Sequence, residues 1–128
     1  MRVLATQYTL ATKSFEIYLA GCKGNNGVHC RGCHNPLSWD FNQGEYIDSI
    51  YIQNIVNKIN SFNHLIENIW ILGGEPLDND INKLIDLTRR LLCLSKPIWL
   101  FTRFSLNLSF QVERWLIQCM SLILLIAI

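Results

Sequence analysis

Three observations predict an α/β domain with a mostly parallel sheet. Short runs such as Asn68-Ile-Trp-Ile-Leu72 and Ile98-Trp-Leu-Phe-Thr102 are apolar on both faces, as strands buried between layers are. They alternate with stretches whose apolar residues recur at helical spacing, the pattern of strands joined by right-handed helical crossovers. The chain, at 128 residues, is long enough for one core and too short for two, so residues 1–128 read as a single domain.

Val3 to Thr9 and Phe15 to Ala20 read as strands, with Ala11-Thr12-Lys13-Ser14 as the turn between them. The second strand runs directly into a polar, Gly- and Asn-rich stretch from Gly21 to about Gly44 that has no sustained period. An irregular segment of that length inside a compact domain is functional or disordered, and its cysteines favour function. Asp48 then caps a helix whose buried face is Ile52, Ile55, Val56, Ile59 and Phe62. The strand at residues 68–72 closes on Gly73-Gly74. Asp78 or Asn79 caps the next helix, with Ile81, Leu84, Ile85, Thr88 and Leu92 inward and Pro97 stopping it. After the strand at 98–102, a third helix spans about Leu108 to Cys119, carrying Val112, Trp115 and Leu116 inward, and the tail Leu122–Ile128 forms a last strand.

Composition narrows the function. Half the residues are apolar and the formal net charge is +1, which gives no polyanion-binding signal, so direct nucleic-acid binding is not expected. The cysteine count is five, with three of them inside residues 22–33, which is the look of metal binding in a reducing compartment rather than a disulfide framework. Cys93 and Cys119 fall in apolar helical patterns and read as core. Leu19-Ala20-Gly21-Cys22 has the form of a lipoprotein cleavage site, but export needs an apolar run of roughly 7–15 residues before it. Thr12-Lys13-Ser14 and Glu16 interrupt any such run. The apolar tail is far short of the ~20 residues of a membrane helix. A cytoplasmic protein with no membrane partner is expected.

The chemistry concentrates in Gly21-Cys22-Lys-Gly-Asn-Asn-Gly-Val-His-Cys30-Arg-Gly-Cys33-His-Asn-Pro36. Three soft thiolates on one loop can hold three corners of an iron–sulfur cube and leave the fourth iron open. They can equally form a closed Cys3His zinc site completed by His29 or His34. Both readings stand on ligand type alone. His29 and His34 otherwise serve at the surface or in stacking, and Trp39 and Phe41 face a partner or cover the metal.

The second segment is Ile71-Leu72-Gly73-Gly74-Glu75-Pro76-Leu77, where glycines let backbone approach a ligand closely and expose its carbonyls. A cationic amine would be held there by carbonyls and by Glu75. The plainer alternative is a tight strand-to-helix turn with Glu75 and Asp78 favouring the helix N-terminus. Both segments begin where a strand ends. In a parallel sheet they therefore meet at one edge, the edge at which such folds place ligands.

On Gly21-Cys22, Cys30-Arg-Gly-Cys33-His-Asn-Pro36 and Gly73-Gly74-Glu75-Pro76, the chain resembles the radical S-adenosylmethionine superfamily, and within it the small activases of anaerobic ribonucleoside-triphosphate reductase. The resemblance covers about residues 15–102. It implies a short, incomplete (βα) barrel, open on one side to admit a glycine loop of the partner. It implies a [4Fe–4S] cluster on Cys22, Cys30 and Cys33, with S-adenosylmethionine chelating the fourth iron. By the same resemblance Gly73, Gly74 and Glu75 contact the cofactor's amino group. Gly32, Cys33 and His34 lie near the adenosine, and Thr102 keeps a further contact. The implied activity is reductive cleavage of the cofactor to place a glycyl radical on the reductase, with a flavodoxin- or ferredoxin-type electron donor and no catalytic side chain beyond cluster and cofactor. The alternatives are the same cleavage aimed at another peptide or small molecule, and a non-catalytic zinc or iron–sulfur module.

The chain departs from that family in three places. Seven residues, Lys23 to His29, separate the first two cysteines where three are usual. Doubling a flexible loop costs only about 0.6 kcal/mol, small beside the ~10 kcal/mol scale of a structural metal site. Arg103 follows Thr102 where glycine is common, and reads as a solvated arginine or as a partner of the cofactor carboxylate. The tail stops in an apolar strand expected at a sheet edge, as in a chain shortened, altered or completed by a partner.

Overall fold

The computed structural model describes residues 1–103 and the backbone of 123–127. The third helix expected near residues 108–119, with Cys119, lies outside the described residues, as does Phe104. One mixed sheet organises the rest: β1 (Arg2–Thr9), β2 (Ser14–Leu19), β3 (Glu45–Tyr46), β4 (Asn68–Gly73), β5 (Ile98–Thr102) and β6 (Ile123–Ala127), in the order β3-β1-β2-β4-β5-β6. The pairs β2–β4, β4–β5 and β5–β6 are parallel, whereas β1 pairs antiparallel with both β2 and β3. The hairpin between β1 and β2 turns through residues 10–13, with Lys13 left-handed at φ 47°. β6 lies at the sheet edge, where the tail strand was expected.

The helices α1 (Ser49–Ser61) and α2 (Ile81–Leu92) follow β3 and β4. Asp48 caps α1, accepting the Tyr51 amide at 2.7 Å, and Ile52, Ile55 and Ile59 are buried. Val56 is only half-buried and Phe62, beyond the helix, is 51% exposed. Alternate residues of the strands, Phe15, Ile17, Leu19, Ile69, Ile71, Ile98 and Leu100, form the core with these helix faces.

Three expectations are corrected and one strand is added. The cap of α2 is Asp80, not Asp78 or Asn79, because Pro76–Asp78 is a separate 3₁₀ turn whose own cap is Glu75. The buried stripe of α2 is Leu84, Leu87, Thr88 and Leu91, with Ile81 and Leu92 packed against the core at its margins and Ile85 half-buried. Cys93 is exposed rather than core, since α2 ends at Leu92 and the chain turns at Ser95, φ 53°. β3 lies between the irregular stretch and α1, where no element was expected, and pairs with Arg2 and Val3. Gly44 makes that pairing possible: at φ 79°, a Cβ there would lie 2.2 Å from the Val3 carbonyl oxygen.

Candidate functional site: a cysteine loop joined to a glycine turn

β2 and β4 are in parallel register through Leu19 opposite Gly73, so the cysteine loop and the glycine turn leave the sheet side by side. Backbone bonds join them at once: the Gly74 amide donates to Leu19 O and the Glu75 amide to Gly21 O, each at 2.8 Å. Glycine is required at both positions of the turn. At Gly73, φ 109°, an added Cβ would sit 2.6 Å from Leu19 backbone atoms, and at Gly74 one would sit 2.3 Å from Gly21 O. Asn79 adds a third tie, its Nδ2 donating to Ala20 O at 3.0 Å and Glu75 O at 3.1 Å.

Glu75 is buried, and its carboxylate is engaged within the chain. Oε1 accepts the Thr102 hydroxyl at 2.6 Å and the Leu77 amide at 3.1 Å, while Oε2 accepts the Arg103 amide at 2.8 Å. The glycine turn is thereby tied to the end of β5, and Thr102 enters the site as a partner of Glu75.

Arg103 is not a solvated arginine. Its guanidinium forms a bidentate pair with Asp78, Nη1–Oδ2 at 2.9 Å and Nη2–Oδ1 at 3.1 Å, with side-chain exposures of 19% and 7%. Nη1 also donates to Cys22 Sγ at 3.4 Å. Burial alone would lower the guanidinium's pKa, but the bonds and charge of Asp78, with Glu75 and Cys22, outweigh it and raise the value. Asp78 also accepts the Lys23 amide at 2.7 Å, so one carboxylate fixes both Arg103 and the first residue after Cys22.

The loop's far side is anchored by the 3₁₀ turn Pro36–Trp39: the Gly21 amide donates to Ser38 O and the Cys22 amide to Trp39 O. Trp39 Nε1 donates to Cys33 Sγ at 3.4 Å, and its ring stacks on His29 at 3.9 Å between centroids. His29 Nε2 donates to Cys22 O at 2.9 Å, so this histidine stacks and braces the loop. Cys30 and His34 are exposed. Gly32 is left-handed, φ 75°, with open space where a Cβ would stand. Sequence reasoning missed Asp78 and Asn79 as loop anchors; their only signal was polar residues just past the glycine turn.

Among the described residues, no three His, Cys, Asp or Glu side chains converge on one ion position. Three thiols on one loop, two of them accepting N–H donors, are a donor set that fits an iron–sulfur cluster.

A cysteine loop at the end of a strand suits a metal-bearing domain, and the chain belongs to the 4Fe-4S single cluster domain family, whose model it matches over residues 13–125. It is similar to the anaerobic ribonucleoside-triphosphate reductase-activating protein of Escherichia coli (strain K12), with 31% identity over 96 residues, 71% of this chain and 58% of that protein. It is also similar to the protein of the same name from Salmonella typhimurium, 27% identical over 95 residues with the same coverage. The chain thus spans 58% of the length of these curated relatives. No solved structure matches it. No described helix is long and apolar enough to cross a membrane.

Proposed function

We propose that this chain is a cytoplasmic radical S-adenosylmethionine activase that generates a glycyl radical on an anaerobic ribonucleoside-triphosphate reductase. The observation that carries the reading is the pair of backbone bonds from Gly74 and Glu75 into Leu19 and Gly21, which set the glycine turn against the first thiol of the loop. Cys22, Cys30 and Cys33 hold a [4Fe–4S] cluster, with a flavodoxin- or ferredoxin-type protein as electron donor. Gly73 and Gly74 present backbone to S-adenosylmethionine, and Gly32 and His34, on the open side of the loop, lie toward its adenosine. Glu75 and Thr102 complete the cofactor's surroundings, and the bond between them helps to fix the turn. When bound, cluster and cofactor together supply one-electron cleavage of a carbon–sulfur bond. The protein's part is to orient the cofactor and keep water away. The domain is proposed as an incomplete (βα) barrel whose open side admits the partner's glycine loop.

Anaerobic reconstitution tests this. About four irons per chain, formation of 5′-deoxyadenosine with a low-potential reductant, and loss of both in Cys30→Ala are expected. An organic radical signal on the reductase identifies the target; cleavage without that signal points to another peptide or small molecule. One equivalent of zinc with no cleavage after iron and sulfide are supplied would overturn the proposal in favour of a non-catalytic module.

A further inference from the structure

We propose that Arg103 is a positioning residue for the cluster: its guanidinium, held by Asp78, donates a hydrogen bond to Cys22 Sγ and raises the reduction potential of a cluster bound there. The inference rests on the cluster assigned under the proposed function. It deepens that assignment with a residue that stands where glycine is common in the resembling family.

Three features make the contact a built one. Nη1 lies 3.4 Å from Cys22 Sγ and 2.9 Å from Asp78 Oδ2, so one nitrogen donates to both. The second nitrogen, Nη2, donates to Asp78 Oδ1 at 3.1 Å, which removes the rotational freedom a lone contact would leave. The same Asp78 accepts the Lys23 amide, so the anchor of the arginine and the backbone just after the ligand move together. At the other end the Arg103 amide is fixed on Glu75 Oε2 at 2.8 Å, which ties the arginine to the glycine turn.

The physical consequence concerns electrons rather than folding. Reduction adds negative charge that spreads onto the ligand sulfurs, and a donor aimed at a sulfur stabilises the reduced form more than the oxidised one. A cationic donor with side-chain exposure of 19% is little screened by solvent. Asp78 offsets part of the positive charge, leaving the directed N–H bond as the main effect. Trp39 Nε1 makes the neutral counterpart on Cys33 Sγ.

The test is an EPR-monitored redox titration of reconstituted protein without S-adenosylmethionine, on the parent, Arg103→Lys, Arg103→Gln and Arg103→Met. In Arg103→Met the reduction equilibrium constant is expected to fall about tenfold, a downward shift of about 59 mV for one electron. Arg103→Gln falls in the same direction and Arg103→Lys returns toward the parent. Should Arg103→Met take up less iron, the comparison of Arg103→Gln with Arg103→Lys carries the same sign. Equal potentials in all iron-loaded variants would overturn the inference and leave the proposed function intact. Absence of a reduced-cluster signal in the parent would overturn both.

Discussion

Glu75 shows how one buried carboxylate can tie three parts of a site together. It accepts from Thr102, Leu77 and Arg103, so its loss strands three donors. Glu75→Gln keeps the shape, but an amide accepts at one end only and points N–H at a donor at the other. That substitution should destabilise the protein by about 1–3 kcal/mol, read as a lower urea midpoint, with Thr102→Val following in the same direction. Gly74→Ala acts by steric means. Its Cβ would meet the Gly21 backbone, and the forced separation should cost about 1–3 kcal/mol. Because that backbone leads directly into Cys22, the variant should also bind less iron after reconstitution. Glu16, 4% exposed on β2, is a second buried carboxylate. Burial pushes its pKa up, but bonds from Tyr18, Gln7 and Ser14 outweigh that and leave it below 4.5. Burial and the bond to Glu16 push Tyr18 up to about 12.

At the scale of elements, the extra residues between Cys22 and Cys30 prove to be a closed unit. Asn25 and Val28 exchange backbone bonds of 2.8 and 3.0 Å around Asn26 and Gly27, both left-handed at φ 51° and 81°. This is a two-residue primed turn, for which Asn-Gly is the favoured sequence. Its ends are already side by side, so removing 25–28 leaves Lys23, Gly24 and His29 between the cysteines, the three-residue spacing of the resembling family. We expect the deletion to load as much iron as the parent, with iron and sulfide analysis as the measure; a deficit would mean that the hairpin helps build the site. Gly24, Asn25, Asn26 and Gly27 are residue types that can fold the extra length into a turn, and the structure adds which residues close it, Asn25 and Val28. The α2 cap shows a limit of the same kind. Asp78, Asn79 and Asp80 all suit a helix start, and the choice of Asp80 follows from Asp78 being drawn to Arg103 and Lys23, contacts remote in sequence.

For the whole molecule, Glu16 and Tyr18 set opposite limits on stability with pH, because their network bonds β1 to β2 through Gln7. The unfolded Glu16 takes up its proton first as pH falls. Its contribution is therefore present above about 4.5 and lost as pH drops through the lowered folded value. The unfolded Tyr18 loses its proton first as pH rises, so its contribution is complete below 10 and lost between 10 and about 12. Urea midpoints measured across pH should fall at both ends, and Glu16→Gln should flatten the acid limb while lowering stability at neutral pH.

The sequence by itself determined the strands other than β3, the two described helices and the choice of the cysteine loop and glycine turn as candidate segments, because apolar periodicity and cysteine spacing are local. It also placed both special segments at strand ends. Tertiary structure alone decided how those segments are joined. Leu19 faces Gly73 only through the register of β2 and β4, and Arg103 meets Cys22 only because β5 ends beside the glycine turn. Such contacts link residues far apart in the chain, where side-chain direction and burial select the partner and no local pattern encodes it.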